Sequence, residues 1–508
     1  MVLSRLMNWI ADNSVTKQRE QERPNIVWIC ADDFATRMCS AYNPASEATP
    51  NLREFAREGL RFDRAFCTCP LSTPSRQSIW TGRYPRGVGV TLTPTPLPDD
   101  EVTLPTVLRL HGYTAASFGK THYYFPRRNE FNYCIDLPDY RHWLDRTQRN
   151  PIPHSVETLG PWRPFFDPPR TWLNSRHLPY PATDEEMAGT YYAREAAKFV
   201  KAHRSRAPYF VYVGFYETHS PFWFPTEYKD TLIKTDIDPN QSKSSKAESV
   251  PRVFRELTPI EKSGIVSSYA TSARFMDKNV GLILDAIESA GHRDNTLVIF
   301  SSDHGYLLGE HGRFEKHCCF EPAIQSNLIL RWPGKIAPGT NNDSIVLLFD
   351  IFPTVLAACG ISPSADIQAK SLTPLFDGDN SAARDHIVIE YSDNAEAAVR
   401  TDRWKLIYSA NNRDRSDGYE LCSFLSCRPS IQLYDLENDP EEAIDLCDDP
   451  SMSAIVEQLI ELLTTHLLAT RRTQTPFPEG TDRTSMLAEC LVPSDEELLS
   501  IEKAVRLR

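Results

Sequence analysis

The sequence has no excess of basic residues, no long apolar run and no internal repeat. Its 55 Lys and Arg are outnumbered by 68 Asp and Glu, for a formal net charge of −13 at pH 7. This balance argues against a nucleic-acid-binding protein, which normally carries a basic stripe, and against binding to an anionic membrane surface. No run approaches the roughly 20 apolar residues of a membrane span. We therefore expect no nucleic-acid or membrane partner, and an anionic substrate would need a local positive cleft.

The 12 cysteines also lack a Cys-x-x-Cys pair, the spacing that indicates zinc or redox chemistry. Most are therefore expected to be reduced and buried as small apolar side chains. One disulfide, between Cys422 and Cys427, is the single candidate.

The first 22 residues lack the apolar core and small-residue cleavage site of a signal peptide. This predicts a cytoplasmic protein, or a secreted or periplasmic one if an export signal has been removed. Leu3, Leu6, Met7 and Ile10 recur at helical spacing and predict a short amphipathic extension. Such a helix would dock on the body or on a second subunit, so a homo-oligomer is one option.

At 508 residues the chain exceeds the size at which single cores stop growing, so two domains are expected. Its first two-thirds alternates short apolar runs with helical patterns, which is typical of a mostly parallel α/β sheet. The predicted fold is a large mixed sheet flanked by helices, with a smaller C-terminal antiparallel sheet and helix. The predicted divisions are an N-terminal extension (1–22), a catalytic domain (23–370), an α+β subdomain (371–474) and a surface tail (475–508).

Particular elements can be placed within these divisions. Four apolar runs predict strands, Gly264–Ala290 predicts a long helix, and Thr49 is expected to cap another. Three later runs predict the small sheet, and Ser453–Leu468 a helix beside it. The seven predicted strands are Asn25–Ala31, Tyr113–Phe118, Tyr209–Phe215, Thr296–Phe300, Ile387–Tyr391, Ala398–Tyr408 and Gln432–Leu436.

Charged or titratable residues follow each of the four strands of the large sheet. In an open α/β sheet, ligands collect beyond the carboxyl ends of the strands, so these residues mark the candidate site. They are Asp32 and Asp33, Lys120 and His122, His219, and Asp303 and His304.

Three carboxylates at one sheet edge repel one another unless a cation lies between them, and a hard divalent ion is the usual remedy. His304 as a fourth ligand is a softer choice, so manganese or zinc remains open. Arg76, Lys120 and Lys316 would each pass for surface cations if taken singly. Their placement beside the carboxylates predicts an anion-binding cleft.

From Arg23 to about Leu446 the chain resembles the type I sulfatases of the alkaline phosphatase superfamily. The combination of motifs is specific, although GKTH or LYDLENDP alone would be weak. The motifs are RPNIVWICADD (23–33), TPNL (49–52), STPSRQSIWTGRYP (72–85), GYTAASFGKTH (112–122), ETHSPF (217–222), SSDHGYLLGEHGRFEK (301–316), RWPG (331–334), DIFPTVL (350–356) and LYDLENDPEE (433–442).

This resemblance implies a sulfuric ester hydrolase that cleaves a sulfate ester, in particular of a sulfated carbohydrate. It also implies one divalent cation, foremost Ca2+ with Mn2+, Mg2+ or Zn2+ as alternatives, and a maturation enzyme that converts position 72 to formylglycine. The implied metal ligands are Asp32, Asp33, Ser72, Asp303 and His304, and the implied catalytic residues are Ser72, Arg76, Lys120, His122, His219 and Lys316.

An aldehyde at position 72 has a chemical rationale. Its hydrate carries two hydroxyls, one to attack sulfur and one whose deprotonation later expels sulfate. A plain serine has only the first, so Ser72 is either a serine-type site awaiting oxidation or an engineered replacement of cysteine. Arg76 and the metal would favour the ionised hydrate, Lys120 and Lys316 would offset sulfate charge, and His219 or His122 would protonate the departing alcohol.

Two other functions fit the same residues. One is a phosphodiester or phosphonate monoester hydrolase of the same superfamily. The two-zinc phosphatases need a second set of Asp and His ligands, which is not evident around His311 and His317. The other is an inactive binding protein on a sulfatase scaffold, which an unmodified Ser72 would suit but the filled catalytic positions would not require.

Overall fold

The structure is a computed structural model of the 508-residue chain. It describes residues 23–123, 127–149, 173–241, 250–364, 366–410, 430–472 and 476–506. The predicted N-terminal helix and the candidate disulfide Cys422–Cys427 lie outside these residues. Within them, the ten cysteines are all free and eight are buried, as expected for small apolar side chains.

An eight-stranded sheet forms the centre of the large domain, in the order β5-β4-β6-β1-β7-β8-β2-β9. It is mostly parallel, since only the pairs β7–β8 and β2–β8 are antiparallel. The strands of the chain are β1 (Asn25–Ala31), β2 (Leu60–Phe62), β3 (Ala65–Phe66), β4 (Thr114–Gly119), β5 (Tyr133–Ile135), β6 (Tyr209–Gly214), β7 (Thr296–Ser302), β8 (Leu328–Arg331), β9 (Thr340–Asn342), β10 (Val346–Leu347), β11 (His386–Tyr391), β12 (Glu396–Thr401), β13 (Trp404–Ser409) and β14 (Ser430–Asp435).

Helices flank the sheet. They are α1 (Pro50–Arg57), α2 (Ser72–Thr81), α3 (Pro85–Val88), α4 (Leu104–Leu110), α5 (Leu137–Arg146), α6 (Ala188–Ala202), α7 (Arg252–Arg255), α8 (Pro259–Ser289), α9 (Glu321–Ile324), α10 (Ile351–Ala358), α11 (Ser453–Thr470), α12 (Arg483–Leu491) and α13 (Asp495–Arg506).

Strand β1 shows why the apolar runs were continuous rather than alternating. Ile26 and Trp28 point into one buried cluster, whereas Val27 and Ile29 point into another on the opposite face of the sheet. A parallel sheet covered on both faces needs apolar residues at every position of its central strands. The predicted mostly parallel α/β fold is therefore confirmed.

The long helix predicted from Gly264 begins five residues earlier, at Pro259. The Thr258 hydroxyl accepts a hydrogen bond from the Glu261 amide, and the Glu261 side chain pairs back to Thr258. This capping box extends the helix before its apolar pattern starts.

Helix α1 begins at Pro50 as predicted, but its cap differs from the expected one. The Asp277 carboxylate of α8 accepts hydrogen bonds from the amides of Asn51 and Leu52, each at 2.9 Å. The Thr49 hydroxyl instead accepts from the Ser40 amide at 2.8 Å. A tertiary contact 226 positions away replaces the local cap, which no local pattern could reveal.

The C-terminal sheet is antiparallel, in the order β11-β12-β13-β14. The single strand expected over Ala398–Tyr408 was wrong, since the chain turns between Thr401 and Trp404 and forms the hairpin β12–β13. One face of the sheet continues the core of the large domain. The other face packs against α11 and α12.

Helix α11 is apolar on more than one face. Among the described residues, the segment Pro450–Thr470, which is α11 with the turn before it, is the one helical segment long and apolar enough to cross a membrane by length and composition, with a mean hydropathy of 1.2. Its Leu459, Leu463 and Leu467 lie in the core beneath the C-terminal sheet. Packing on that sheet accounts for these three side chains.

Residues 475–508, predicted as a surface tail, contain the helices α12 and α13 where they are described. Leu487 and Leu491 of α12 are buried in the same core as α11, and Glu497 of α13 is also buried. This segment is therefore partly built into the body of the protein, and the prediction that it lies on the surface was wrong for these buried side chains.

Candidate active site

The carboxyl ends of four neighbouring strands meet at one edge of the large sheet. Because β4, β6, β1 and β7 are adjacent and parallel, the residues that follow them come together. Asp32 and Asp33 leave β1, Lys120 leaves β4, and Asp303 and His304 follow β7. His219 lies in the loop after β6.

The predicted acidic cluster forms. One ligand atom from each of Asp32, Asp33, Asp303 and His304 lies within 4.8 Å of all the others, and all four residues are buried. Asp303 Oδ1 accepts hydrogen bonds from the amides of Asp33 and His304, each at 3.1 Å. These bonds fix the direction of the central carboxylate.

The ring of His304 is oriented from behind. Its Nδ1 lies 2.9 Å from the Gly305 carbonyl oxygen, which can only accept, so Nδ1 carries the proton. Nε2 then presents its lone pair to the cluster, 3.4 Å from Asp33 Oδ1 and 3.6 Å from Asp303 Oδ1. A backbone carbonyl behind a ligating imidazole is the usual arrangement in metal sites.

Ser72 is the first residue of α2, and its side chain faces the cluster. Its Oγ lies 3.1 Å from Asp32 Oδ1 and 3.1 Å from His304 Nε2. All ten residues of α2 are buried. The start of a helix carries partial positive charge, which favours an anion formed at this position.

Arg76 lies one helical turn after Ser72 and is 1% exposed. Its Nε donates to Asp303 Oδ2 at 2.9 Å, and its Nη1 donates to Tyr212 Oη at 2.6 Å and to the Lys120 carbonyl at 3.1 Å. The guanidinium therefore connects Asp303 after β7, Tyr212 within β6 and Lys120 after β4.

Two lysines balance the carboxylates. Lys316 Nζ lies 2.5 Å from Asp33 Oδ1, and Lys120 Nζ contacts Asp32 Oδ2. Burial raises the pKa of Asp32, but Lys120 and then Arg76 outweigh it and hold that pKa well below its usual value. For Asp33, His219 and Lys316 likewise overcome burial and lower the pKa. Both carboxylates are therefore ionised at neutral pH.

Lys120 reaches this position because two glycines allow the backbones of β4 and β6 to approach. A Cβ on Gly214 would lie 2.2 Å from the Lys120 carbonyl oxygen, and one on Gly119 would lie 2.2 Å from the Gly214 carbonyl oxygen. Gly119 also has φ of 89°. Any larger residue would move the strand ends apart.

The two candidate acids occupy different places. His219 Nε2 lies 3.9 Å from Asp33 Oδ2, beside the cluster. His122 lies beside α2, with Nδ1 3.4 Å from Thr73 Oγ1. Burial lowers the pKa of both imidazoles, most strongly for His122, where Lys120 adds to the effect. Burial therefore disfavours the charged form of both rings.

The residues fit a hard divalent cation. The cluster offers three carboxylates and one oriented imidazole nitrogen, which is a donor set that such ions accept. The fifth predicted ligand is Ser72, and its Oγ contacts Asp32 and His304. The pairs that Lys120 and Lys316 make with Asp32 and Asp33 supply positive charge to the same carboxylates.

Sequence reasoning missed three residues that support the site. Tyr212 holds Arg76, Thr73 contacts His122, and Glu217 accepts the Asp32 amide through its carbonyl at 3.0 Å. Tyr212 lies inside an unbroken apolar strand, so its pattern indicated only core packing. Glu217 and Thr73 lie within the family motifs ETHSPF and STPSRQSIWTGRYP, but the resemblance implied no role for either residue.

Comparison with known proteins identifies the family. The family model described as Sulfatase matches residues 24–361, and one described as N-sulphoglucosamine sulphohydrolase, C-terminal, matches residues 309–468. The chain belongs to the sulfatase family. It is an enzyme of the sulfuric ester hydrolase class, as the motifs predicted.

Curated relatives align over most of this sulfatase. It is 25% identical to an N-acetylglucosamine-6-O-sulfatase of Bacteroides thetaiotaomicron, over 88% of this chain and 87% of the relative. It is 27% identical to arylsulfatase A of Homo sapiens, over 83% of each. A Formosa agariphila protein described as an ulvan-active sulfatase is 25% identical over 77% of this chain and 74% of its own.

Solved structures share the fold. A protein in complex with its substrate D-glucosamine-2-N,6-O-disulfate superposes with a TM-score of 0.68 at 20% identity, covering 88% of this sulfatase and 98% of that chain. A phosphonate monoester hydrolase of Agrobacterium radiobacter gives a TM-score of 0.70 at 22% identity, covering 87% and 96%. Sulfate and phosphonate ester hydrolases thus share this architecture, and the site must distinguish them.

Proposed function

We propose that this sulfatase hydrolyses the sulfate ester of a sulfated carbohydrate, using an aldehyde at position 72 and one divalent cation, foremost Ca2+. The observation that carries the proposal is the position of Ser72 Oγ, 3.1 Å from both Asp32 Oδ1 and His304 Nε2, in a cluster whose Asp32 and Asp33 pair with Lys120 and Lys316. The sulfated-sugar substrates named for several relatives support the substrate class.

In this proposal Asp32, Asp33, Asp303, His304 and position 72 hold the cation. When bound, the cation acts as a Lewis acid that offsets negative charge on the sulfate and favours an ionised nucleophile.

A maturation enzyme that oxidises Ser72 is the implied partner. The cytoplasmic location, with the secreted alternative, and a homo-oligomeric state stay predictions from the N-terminal sequence.

The remaining residues bind and orient the substrate. Lys120 and Lys316 donate to the sulfate oxygens, which brings the anion to the start of α2. Arg76, fixed by Asp303 and Tyr212, keeps that helix end in register with the cluster. Donors held in place before reaction need no reorganisation as charge develops, and in many enzymes this stabilisation contributes more to the rate than any other effect.

Protonation of the departing alcohol falls to His122 or His219. Burial disfavours the charged form of both imidazoles, but an anion bound between the lysines favours the charged form of a nearby imidazole. A sugar alkoxide is a poorer leaving group than a phenolate. Protonation of the leaving oxygen therefore matters more for a sugar sulfate than for an aryl sulfate. The variants His122→Ala and His219→Ala can therefore be compared on alkyl and aryl sulfates. The variant that lacks the acid should lose more activity on the alkyl sulfate than on the aryl sulfate.

The rival function is phosphonate or phosphate ester hydrolysis. Across the described ranges, no second group of three or more Asp, Glu, His or Cys side chains is placed to bind a metal. This disfavours a two-metal phosphatase, and Lys120 and Lys316 fill the space beside the first site.

The deciding experiment measures sulfate release by the matured protein from sulfated mono- and disaccharides, aryl sulfates and a phenylphosphonate ester. Activity should fall when a chelator is added and return with added Ca2+, Mn2+, Mg2+ or Zn2+. The ion that restores the most activity identifies the metal. Faster turnover of the phosphonate ester than of every sulfate would assign the rival function. Unchanged activity in chelator, with no metal detected, would remove the cation from the proposal.

A further inference from the structure

Helix α13 buries one carboxylate in the body of the sulfatase domain. Glu497 is 3% exposed, whereas Glu496 and Leu498 on either side of it are exposed. Burying a carboxylate is unfavourable unless its oxygens accept hydrogen bonds. The partners of Glu497 therefore show what this helix holds in place.

Those partners all come from one short loop. Glu497 Oε1 accepts from the amides of Thr91 at 2.6 Å and Leu92 at 2.9 Å, and from Thr95 Oγ1 at 2.6 Å. Its Oε2 accepts from Thr91 Oγ1 at 2.7 Å. Four donors converge on one side chain, so the loop is tied to a helix about 400 positions later in the chain.

The same loop contacts α2, the helix that begins at Ser72. Thr93 Oγ1 donates to Thr73 Oγ1 at 2.9 Å. One turn further along α2, Gln77 Nε2 donates to the Thr95 carbonyl at 3.0 Å. Thr73 is adjacent to the nucleophile position.

Both of these α2 residues also reach His122. Gln77 Nε2 donates to the His122 carbonyl at 3.0 Å, and Thr73 Oγ1 lies 3.4 Å from His122 Nδ1. The amide of Leu97, at the end of the loop, donates to the carbonyl of Tyr123 at 3.3 Å. His122 has φ of 60°, a backbone conformation that surrounding contacts must maintain.

We propose that Glu497 is a positioning residue for catalysis, which holds the loop 91–97 so that Thr73 and Gln77 orient His122 beside the nucleophile position. This inference rests on the proposed function, in which His122 is a candidate acid for the departing alcohol. The C-terminal helix would then complete the active site without touching substrate.

A plain structural anchor makes a different prediction from a positioning residue. Loss of an anchor lowers stability and removes active protein equally for every substrate. Loss of His122 orientation slows the substrates whose leaving alcohol needs a proton, and spares aryl sulfates, whose leaving groups are better.

The test compares Glu497→Ala with Glu497→Gln and with the exposed neighbour Glu496→Ala. The amide oxygen of glutamine can take the three donors of Oε1, so this variant should stay close to wild type. We expect Glu497→Ala to lower kcat on a sulfated monosaccharide about ten-fold, with KM changed less than about two-fold and a smaller loss on an aryl sulfate. Glu496→Ala should match wild type.

A second variant and a second readout guard against misfolding. Thr93→Val removes only the donor to Thr73 and should reproduce part of the same substrate-dependent loss. Hydrogen exchange is measured without substrate. The amides of Thr91 and Leu92 should exchange faster in Glu497→Ala than in wild type, and at the wild-type rate in the other variants.

Equal losses on both substrates in Glu497→Ala, or an unchanged kcat despite faster exchange at Thr91, would overturn the positioning role. If the matured wild type releases no sulfate from any ester while the exchange result holds, the proposed function fails and the contact between helix and loop stands. The two failures are therefore distinguishable.

Discussion

Lys316 Nζ lies 2.5 Å from Asp33 Oδ1 across 283 positions of sequence, and both side chains are buried. The ammonium is thereby fixed beside a carboxylate of the candidate metal site. Lys120 makes the matching contact with Asp32. The two cations therefore lie beside the carboxylate cluster that Ser72 Oγ also contacts, and we expect an anionic group to bind there.

Lys120→Ala and Lys316→Ala should each lower kcat on a sulfate ester by roughly 10²–10³, about 2.7–4 kcal/mol, the effect of removing one fixed donor to developing charge. Steady-state kinetics on one sulfated sugar measures it. Lys198→Ala, an exposed lysine paired with Glu195, is the control and should leave kcat unchanged. Near-normal rates in both site variants would mean that the anion binds elsewhere.

Gly214→Ala tests how the fold delivers Lys120. The new Cβ would lie 2.2 Å from the Lys120 carbonyl oxygen and 2.9 Å from Tyr212 Oη, so β4 and β6 must separate. We expect a loss of about 1–3 kcal/mol in stability from overpacking, together with at least a ten-fold loss of kcat. Thermal unfolding and kinetics measured on one preparation check both effects.

The control for this variant is Gly360→Ala. Gly360 has φ of 66°, but a Cβ there meets no described atom within 4 Å. It should lose stability through backbone strain alone and keep its kcat. If Gly214→Ala also keeps its kcat, the close approach of the strands is not what places Lys120.

The convergence of the residues that follow the strands could be predicted from the sequence, because parallel strands bring their carboxyl ends to one edge of the sheet. Asp32 and Asp303 are 271 positions apart, yet both continue central strands that pair directly through β1 and β7. Their convergence follows from topology, without knowledge of side-chain contacts. The resemblance to the family then predicted a role for Ser72, which no strand end indicates.

The supporting contacts could not be predicted in the same way. Asp277 caps α1, and Glu497 holds the loop before α4, through pairings that depend on how distant helices pack. The turn between Thr401 and Trp404 interrupts an apolar pattern that continues on both sides. Each of these features depends on tertiary contacts, and a local sequence window does not contain them.

Glu217 predicts a pH dependence of stability. It is 3% exposed, its Oε2 has no hydrogen-bond partner among the described residues, and burial raises its pKa from 4.5 to about 7. Because the folded pKa is raised, this group stabilises the fold below pH 4.5 and loses that contribution as pH rises through 7. The loss amounts to about 3 kcal/mol by linkage.

Glu217→Gln should remove this dependence. The difference in urea-unfolding midpoint between Glu217→Gln and wild type should be small near pH 4.5 and grow in favour of the variant up to pH 8. Glu479→Gln, at an exposed position, supplies the control and should track wild type throughout. A constant difference between wild type and Glu217→Gln across this range would contradict the buried, raised carboxyl.

Multiple turnover should require an aldehyde at position 72. Ser72 Oγ already lies against Asp32 and His304, so an unmodified serine could accept a sulfuryl group but has no second hydroxyl to expel it. Mass spectrometry of the peptide 72–76, beside rates from protein made with and without a serine-oxidising maturation enzyme, measures both quantities. The steady-state rate should scale with the aldehyde fraction, and Ser72→Ala should be inactive in either preparation. Sustained turnover by wholly unmodified protein would instead favour a phosphatase-like serine, and activity confined to Ser72→Cys with a cysteine-type maturation enzyme would indicate that the serine replaces a cysteine.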